Sequence, residues 1–125
     1  MPINVLLSIK PKYAAAILSG DKQFEFRRTI FKNPNVKKVY IYASKPIGLI
    51  VGEFEIEEVL SLETKTLWNT TKKTSGISKQ SFDSYFKGKK IGYALKVRKA
   101  EKYEEPISLM DKFNISRPPQ SFMYV

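Results

Sequence analysis

The sequence contains no cysteine and no histidine. That excludes disulfides, zinc sites built on thiolates or imidazoles, and catalysis by either group. Carboxylates are also scarce, 12 against 22 basic residues, and they lie scattered among lysines, which argues against a metal site. No cofactor signature is present, so none is expected. No apolar run approaches the length needed to cross a bilayer, and the first residues lack a secretory pattern. A soluble, cytoplasmic protein with no membrane partner is the expectation. Any chemistry falls to Lys, Arg, Glu, Asp, Tyr, Ser or Thr.

What is present suffices for a core. The chain has 125 residues, 42% of them hydrophobic, which fits one domain over residues 1–125. The net charge of +10 is uneven: +7 over residues 1–50, +4 over 51–100 and −1 over 101–125. A polyanion such as RNA or DNA is the natural partner of that field, although a generally basic background gives the same count.

The most informative stretch is Ser8–Arg28. Pro11 suits the first turn of a helix, Tyr13, Ala14, Ile17 and Leu18 recur at helical spacing, and Gly20 stands where a helix ends in a left-handed turn. The period then changes to two. Phe24 and Phe26 share one face of a strand, Glu25 and Arg27 the other. Lys22 and Arg28 flank this pair, and Ser8 and Lys10 return to the same region. An ion pair on a solvated face is the plain reading. The sharper one is a polar cluster at the mouth of a small barrel, presented to a ligand.

The rest reads as a supporting sheet. Strands are expected at Ile3–Leu7, Val36–Tyr42, Ile47–Leu60, Ile91–Lys99 and Ser121–Val125, with Glu101–Leu109 continuing past a kink before Pro106. Gly52 marks a bulge or bend. A weak helix is expected over Ser61–Thr71, capped by Ser61, and a firm one over Ser78–Phe86, capped by Ser78 and ended by Gly88. The expected fold class is α+β: a small mixed, mostly antiparallel β-barrel with two or three short helices. Closure would remove exposed edges.

The run S-I-K-P-x-Y-A-x-x-I-L-x-G-x-K-x-x-E-F-R, Ser8 to Arg27, resembles the signature of ASCH domains, within the PUA-like superfamily. Pro46–Phe54, Phe82–Val97 and Pro118–Phe122 resemble that family's central strand, late helix and strand, and closing segment. The resemblance implies a barrel with a cleft facing the first helix, and a role in binding RNA or a nucleotide-like ligand. Lys10, Lys22, Glu25 and Arg27 would line the cleft, with Ser8 beside them and Tyr42 and Ser44 contributing from a neighbouring strand end. One bacterial subgroup of the superfamily consists of amidohydrolases of N4-acetylcytidine with a threonine nucleophile in G-x-K-x-x-T-x-R. Glu25 occupies that position here, so it could serve only as a base on water. Other members resemble ribonucleases.

Three functions follow in order. The first is a nucleic-acid-binding module, RNA foremost and regulatory in transcription or translation. Its phosphate contacts would be Lys10, Lys22, Arg27, Arg28, Lys37, Lys38 and Lys45, and Tyr42 and Trp68 would stack on bases. Core packing is the competing reading of Trp68. The second is a hydrolase of a modified nucleoside or of RNA, with Lys22, Glu25 and Tyr42 exchanging protons; Glu25 beside Lys22 favours the charged lysine and so opposes this role. The third is a regulator that docks a protein through its basic face.

Overall fold

The computed structural model describes residues 3–125. Six strands form one sheet in the order β2-β5-β4-β3-β1-β6. They are β1 (Ile3–Ile9), β2 (Phe24–Arg27), β3 (Val36–Ala43), β4 (Leu49–Glu63), β5 (Ile91–Ile107) and β6 (Phe122–Tyr124). β1 and β3 run parallel, and every other neighbouring pair is antiparallel. The helices are α1 (Pro11–Ser19), α2 (Thr64–Thr71), α3 (Lys79–Tyr85) and α4 (Leu109–Phe113), and a 3-10 turn over Lys72–Thr74 follows α2. The mixed α+β class holds.

Local chemistry explains the elements that frame the cleft. Pro11 opens α1 and Gly20 closes it at φ 92°. Ala14 and Ile17 bury the helix stripe against Val5, Leu7, Ile9 and Ile41 of the sheet. Ser78 caps α3 by accepting a hydrogen bond from the Ser81 N–H. Phe82 and Phe86 drive that helix into a second cluster with Phe24, Phe26, Leu67 and Ala94.

The long strands bend at identifiable places. Register shifts occur at Ile41/Tyr42 and Ile50/Gly52, so the bulge expected at Gly52 is present. A Cβ on Gly52 would lie 2.5 Å from the Glu101 carbonyl oxygen of β5 and 2.7 Å from Leu18 Cδ2, so glycine lets β5 and α1 approach this point closely. β5 is one strand to Ile107 with irregular points at Lys99, at φ 50°, and between Lys102 and Ile107, where its register against β4 slips around the residue before Pro106. β4 runs to Glu63, so Ser61 is strand and caps nothing. A further short helix, α4, lies where a loop was expected; Ser108 caps it by accepting from the Asp111 N–H.

The sheet is a half-barrel. Its edges, β2 and β6, share no ladder. Arg27 of β2 reaches across the gap: it donates from Nη2 to the Ser121 carbonyl (3.0 Å) and hydroxyl (2.8 Å), next to β6.

Candidate functional site

The open side of the half-barrel holds a cavity of about 640 Å³. β2 supplies its floor through Glu25, Phe26 and Arg27. The end of β1 and the start of α1 supply one wall, through Ser8, Ile9, Lys10 and Tyr13. The opposite wall is α3 with its approach, through Ile77, Gln80, Ser81, Ser84 and Tyr85. Lys22 closes the inner end and Gln120 stands at the rim. The volume falls in the range of small-molecule sites, about 300–1,000 Å³.

Three ionisable groups meet there out of bulk water. Lys22 is 2% exposed, Glu25 5%. Arg27 Nη1 donates to Glu25 Oε2 at 3.2 Å, and the Arg27 side chain is 12% exposed. Arg27 also reaches the Ser8 carbonyl at 3.4 Å. With Ser121 counted, both ends of its fork are engaged within the protein. The plain ion pair is present but buried, so removing one partner is far costlier than at a surface.

Lys22 sits in a box. Its ammonium donates to the Ser75 carbonyl at 2.6 Å and lies 4.6 Å from the Phe26 ring centre and 5.1 Å from that of Tyr13. Gly76, at φ 70°, packs against the lysine stem so closely that a Cβ would overlap it. Burial lowers Lys22 to about 8, and the Glu25 carboxylate only partly offsets this. Both effects expected from the sequence are present: burial pushes the lysine down, and Glu25 opposes it without cancelling it. Glu25 is raised above the usual carboxylate range by burial, against the opposing pull of Arg27 and Lys22. Two groups of opposite charge type are thus pushed toward neutrality within one cavity, an arrangement suited to binding polar edges or passing protons.

Of the expected site residues, Ser8, Lys10, Lys22, Glu25 and Arg27 share the cleft. Lys10 is exposed at its mouth. Ser8 spends its hydroxyl on the Pro119 carbonyl, 2.6 Å away. Tyr42 does not join them. Its neighbours Ile41 and Ala43 face α1, so strand alternation turns Tyr42 to the other face, where it is 6% exposed among Leu6, Ile50 and Leu109. Tyr42 is a core residue, and its expected stacking and catalytic roles are withdrawn. Ser44 and Lys45 lie in the turn after β3, and Arg28 is exposed beyond the floor; none of them lines the cavity. Lys38 pairs with Glu53 at 2.8 Å on β3 and β4. Sequence reasoning missed the α3 wall. Gln80, Ser81, Ser84 and Tyr85 recur at i, i+1, i+4 and i+5, the polar side of an amphipathic helix, which was the available signal. Ser75 and Gly76 carried none beyond the glycine.

The model of the ASCH domain matches residues 7–109. The chain belongs to the ASCH domain family. A Zymomonas mobilis protein named ASCH domain-containing ribonuclease is 30% identical over 125 residues, 98% of this chain and 84% of its own length. The crystal structure of ASCH from the same organism superposes with a TM-score of 0.89 at 29% identity, covering 98% of this ASCH domain and 87% of that chain. A Ureaplasma parvum protein named large ribosomal subunit protein uL22 is 33% identical over 123 residues; this ASCH domain spans only 39% of that relative's length. No helix among the described residues is long and apolar enough to cross a membrane, and no group of three carboxylates there could hold a metal ion.

Proposed function

We propose that this ASCH domain binds RNA and takes one unpaired nucleotide into the cleft. The observation that carries the reading is the convergence of Lys22, Glu25 and Arg27 in a hollow of about 640 Å³ walled by Tyr13, Phe26 and Tyr85. A base would meet Glu25 as an acceptor, the α3 hydroxyls as adaptable partners, and aromatic edges along the walls. Lys10 at the mouth would meet the phosphate. The test is titration of fluorescent single-stranded RNA at several salt concentrations, for the parent chain and for Lys10→Ala and Glu25→Gln. Binding should weaken steeply with salt, and Lys10→Ala should make the log–log slope shallower by about 0.7. Binding indifferent to salt and to both substitutions would refute it.

A second reading, RNA cleavage, has its own support: Lys22 lowered to about 8, Glu25 raised, and a relative named a ribonuclease. In that reaction the ribose 2′-oxygen attacks phosphorus and Glu25 takes its proton. Lys22 gives a proton to the departing 5′-oxygen, leaving a cyclic phosphate and a free hydroxyl. Incubating labelled RNA with pure protein separates the readings. Products lost in both Lys22→Met and Glu25→Gln support cleavage; intact RNA bound by the parent chain supports binding alone.

A further inference from the structure

Two hollows flank α3, and the cleft is only one. The helix gives Gln80, Ser81, Ser84 and Tyr85 to the cleft and Lys79, Phe82 and Asp83 to the other, so the two lie on opposite faces. The second hollow measures about 450 Å³. Trp68, Phe82 and Phe86 form its floor, and Lys65, Lys79, Lys87 and Lys89 stand around it. Trp68 is half-buried, its ring packed 5.1 Å from that of Phe82, and the indole still borders the hollow.

The charge around this floor is lopsided. Residues 64–90 carry seven lysines and one acidic residue, Asp83, so this quarter of the chain holds six of the ten net positive charges. Lys79 is neutralised by Asp83 at 2.7 Å. Among the described residues Lys65, Lys87 and Lys89 make no ion pair. Three of the five β4 carboxylates answer other cations: Glu53 meets Lys38, Glu55 meets Arg98 and Glu57 meets Lys96. Like-charged ammonium groups kept around one aromatic floor invite a polyanion with flat rings.

We propose that the Trp68 hollow is a second contact for single-stranded RNA: it takes the strand flanking the nucleotide in the cleft, with one base on Trp68 and phosphates on Lys65, Lys87 and Lys89. The inference rests on the RNA reading of the cleft and extends it across α3. A helix with its side chains is about 10–12 Å across, so a single nucleotide cannot occupy both hollows.

Trp68 is the chain's only tryptophan, so its emission reports on this site alone. The experiment titrates the whole chain with a uridine dinucleotide and a uridine decamer, following tryptophan fluorescence and, in parallel, anisotropy of labelled RNA. The decamer should quench Trp68 and the dinucleotide should not. The double variant Lys87→Ala/Lys89→Ala, both on the surface turn after α3, should shallow the decamer's salt slope by about 1.4 and leave the dinucleotide's affinity unchanged. Decamer binding without quenching, and unaltered by the double variant, overturns the proposal while the cleft reading stands. Quenching that persists in a Glu25→Gln chain unable to bind the dinucleotide supports this site as a contact separate from the cleft. Equal quenching by an acidic peptide overturns it in favour of a protein partner.

Discussion

Lys22→Met is the most revealing single change. Below pH 8 the folded chain holds a buried ammonium whose value is lowered from 10.5 to about 8. That displacement corresponds to about 3 kcal/mol of destabilisation at neutral pH, at 1.36 kcal/mol per unit. The sign follows from proton counting. Between about pH 8 and 10.5 the unfolded chain binds the proton and the folded chain does not, so this contribution to stability rises with pH there. About 2 kcal/mol of the loss should be recovered between pH 7 and 10. Methionine fills similar space between Tyr13, Phe26 and Gly76 without the charge. It gives up the hydrogen bond to the Ser75 carbonyl, worth roughly 1.5–3 kcal/mol for a charged donor. At pH 7 the two effects nearly cancel, and the variant should match the parent within about 1 kcal/mol. At pH 10 the parent has recovered and the variant has not, so the parent should be the more stable. Urea unfolding of both chains at the two pH values measures the difference directly, because the other lysines and tyrosines cancel. Parallel behaviour of the two chains would mean that Lys22 keeps its ordinary value, and the account of the box would be wrong.

Gly76→Ala should lower stability by roughly 1–3 kcal/mol, since the new methyl is strained at φ 70° and sits against Lys22, whose Cα would lie 3.0 Å away; thermal melts read it. Arg27→Met should cost about 3–5 kcal/mol by leaving Glu25 buried without its nearest cation, and denaturant titration checks it. Because Glu25 is raised by burial, its contribution to stability is present below the ordinary carboxylate value and is lost as pH rises through its folded value. Glu25→Gln should therefore flatten the decline in stability above pH 4.5, seen by comparing melts of parent and variant across the acid range. Tyr42→Phe should leave RNA affinity unchanged, as befits a ring on the other face of the sheet; anisotropy titration tests it.

Much of the cleft was legible in one stretch of sequence. Pro11 and Gly20 fixed the ends of α1, and the change of period placed Glu25 and Arg27 together on one face of β2. Ser78 gave away α3 by its cap. What stayed hidden depends on non-local placement. Tyr42 alternates properly along β3, but alternation does not say which face meets the core until Leu109 of α4 is in position. α4 itself has five residues and too little periodicity to announce itself. The shift of Lys22 was hidden for the same reason. Its sequence neighbour Glu25 was visible, while Ser75 and Gly76, more than fifty residues away, enclose the ammonium and decide the outcome.

Arg27 ties the sheet's two free margins together, and Ser121, which takes that tie, lies beyond the 7–109 region shared with the family model. The cleft floor is therefore fastened by the tail of the chain. A chain cut after residue 109 keeps every charged member of the floor and loses two of the acceptors that orient Arg27. The guanidinium that holds Glu25 in the floor is thus itself oriented by the residue that leads into the last strand.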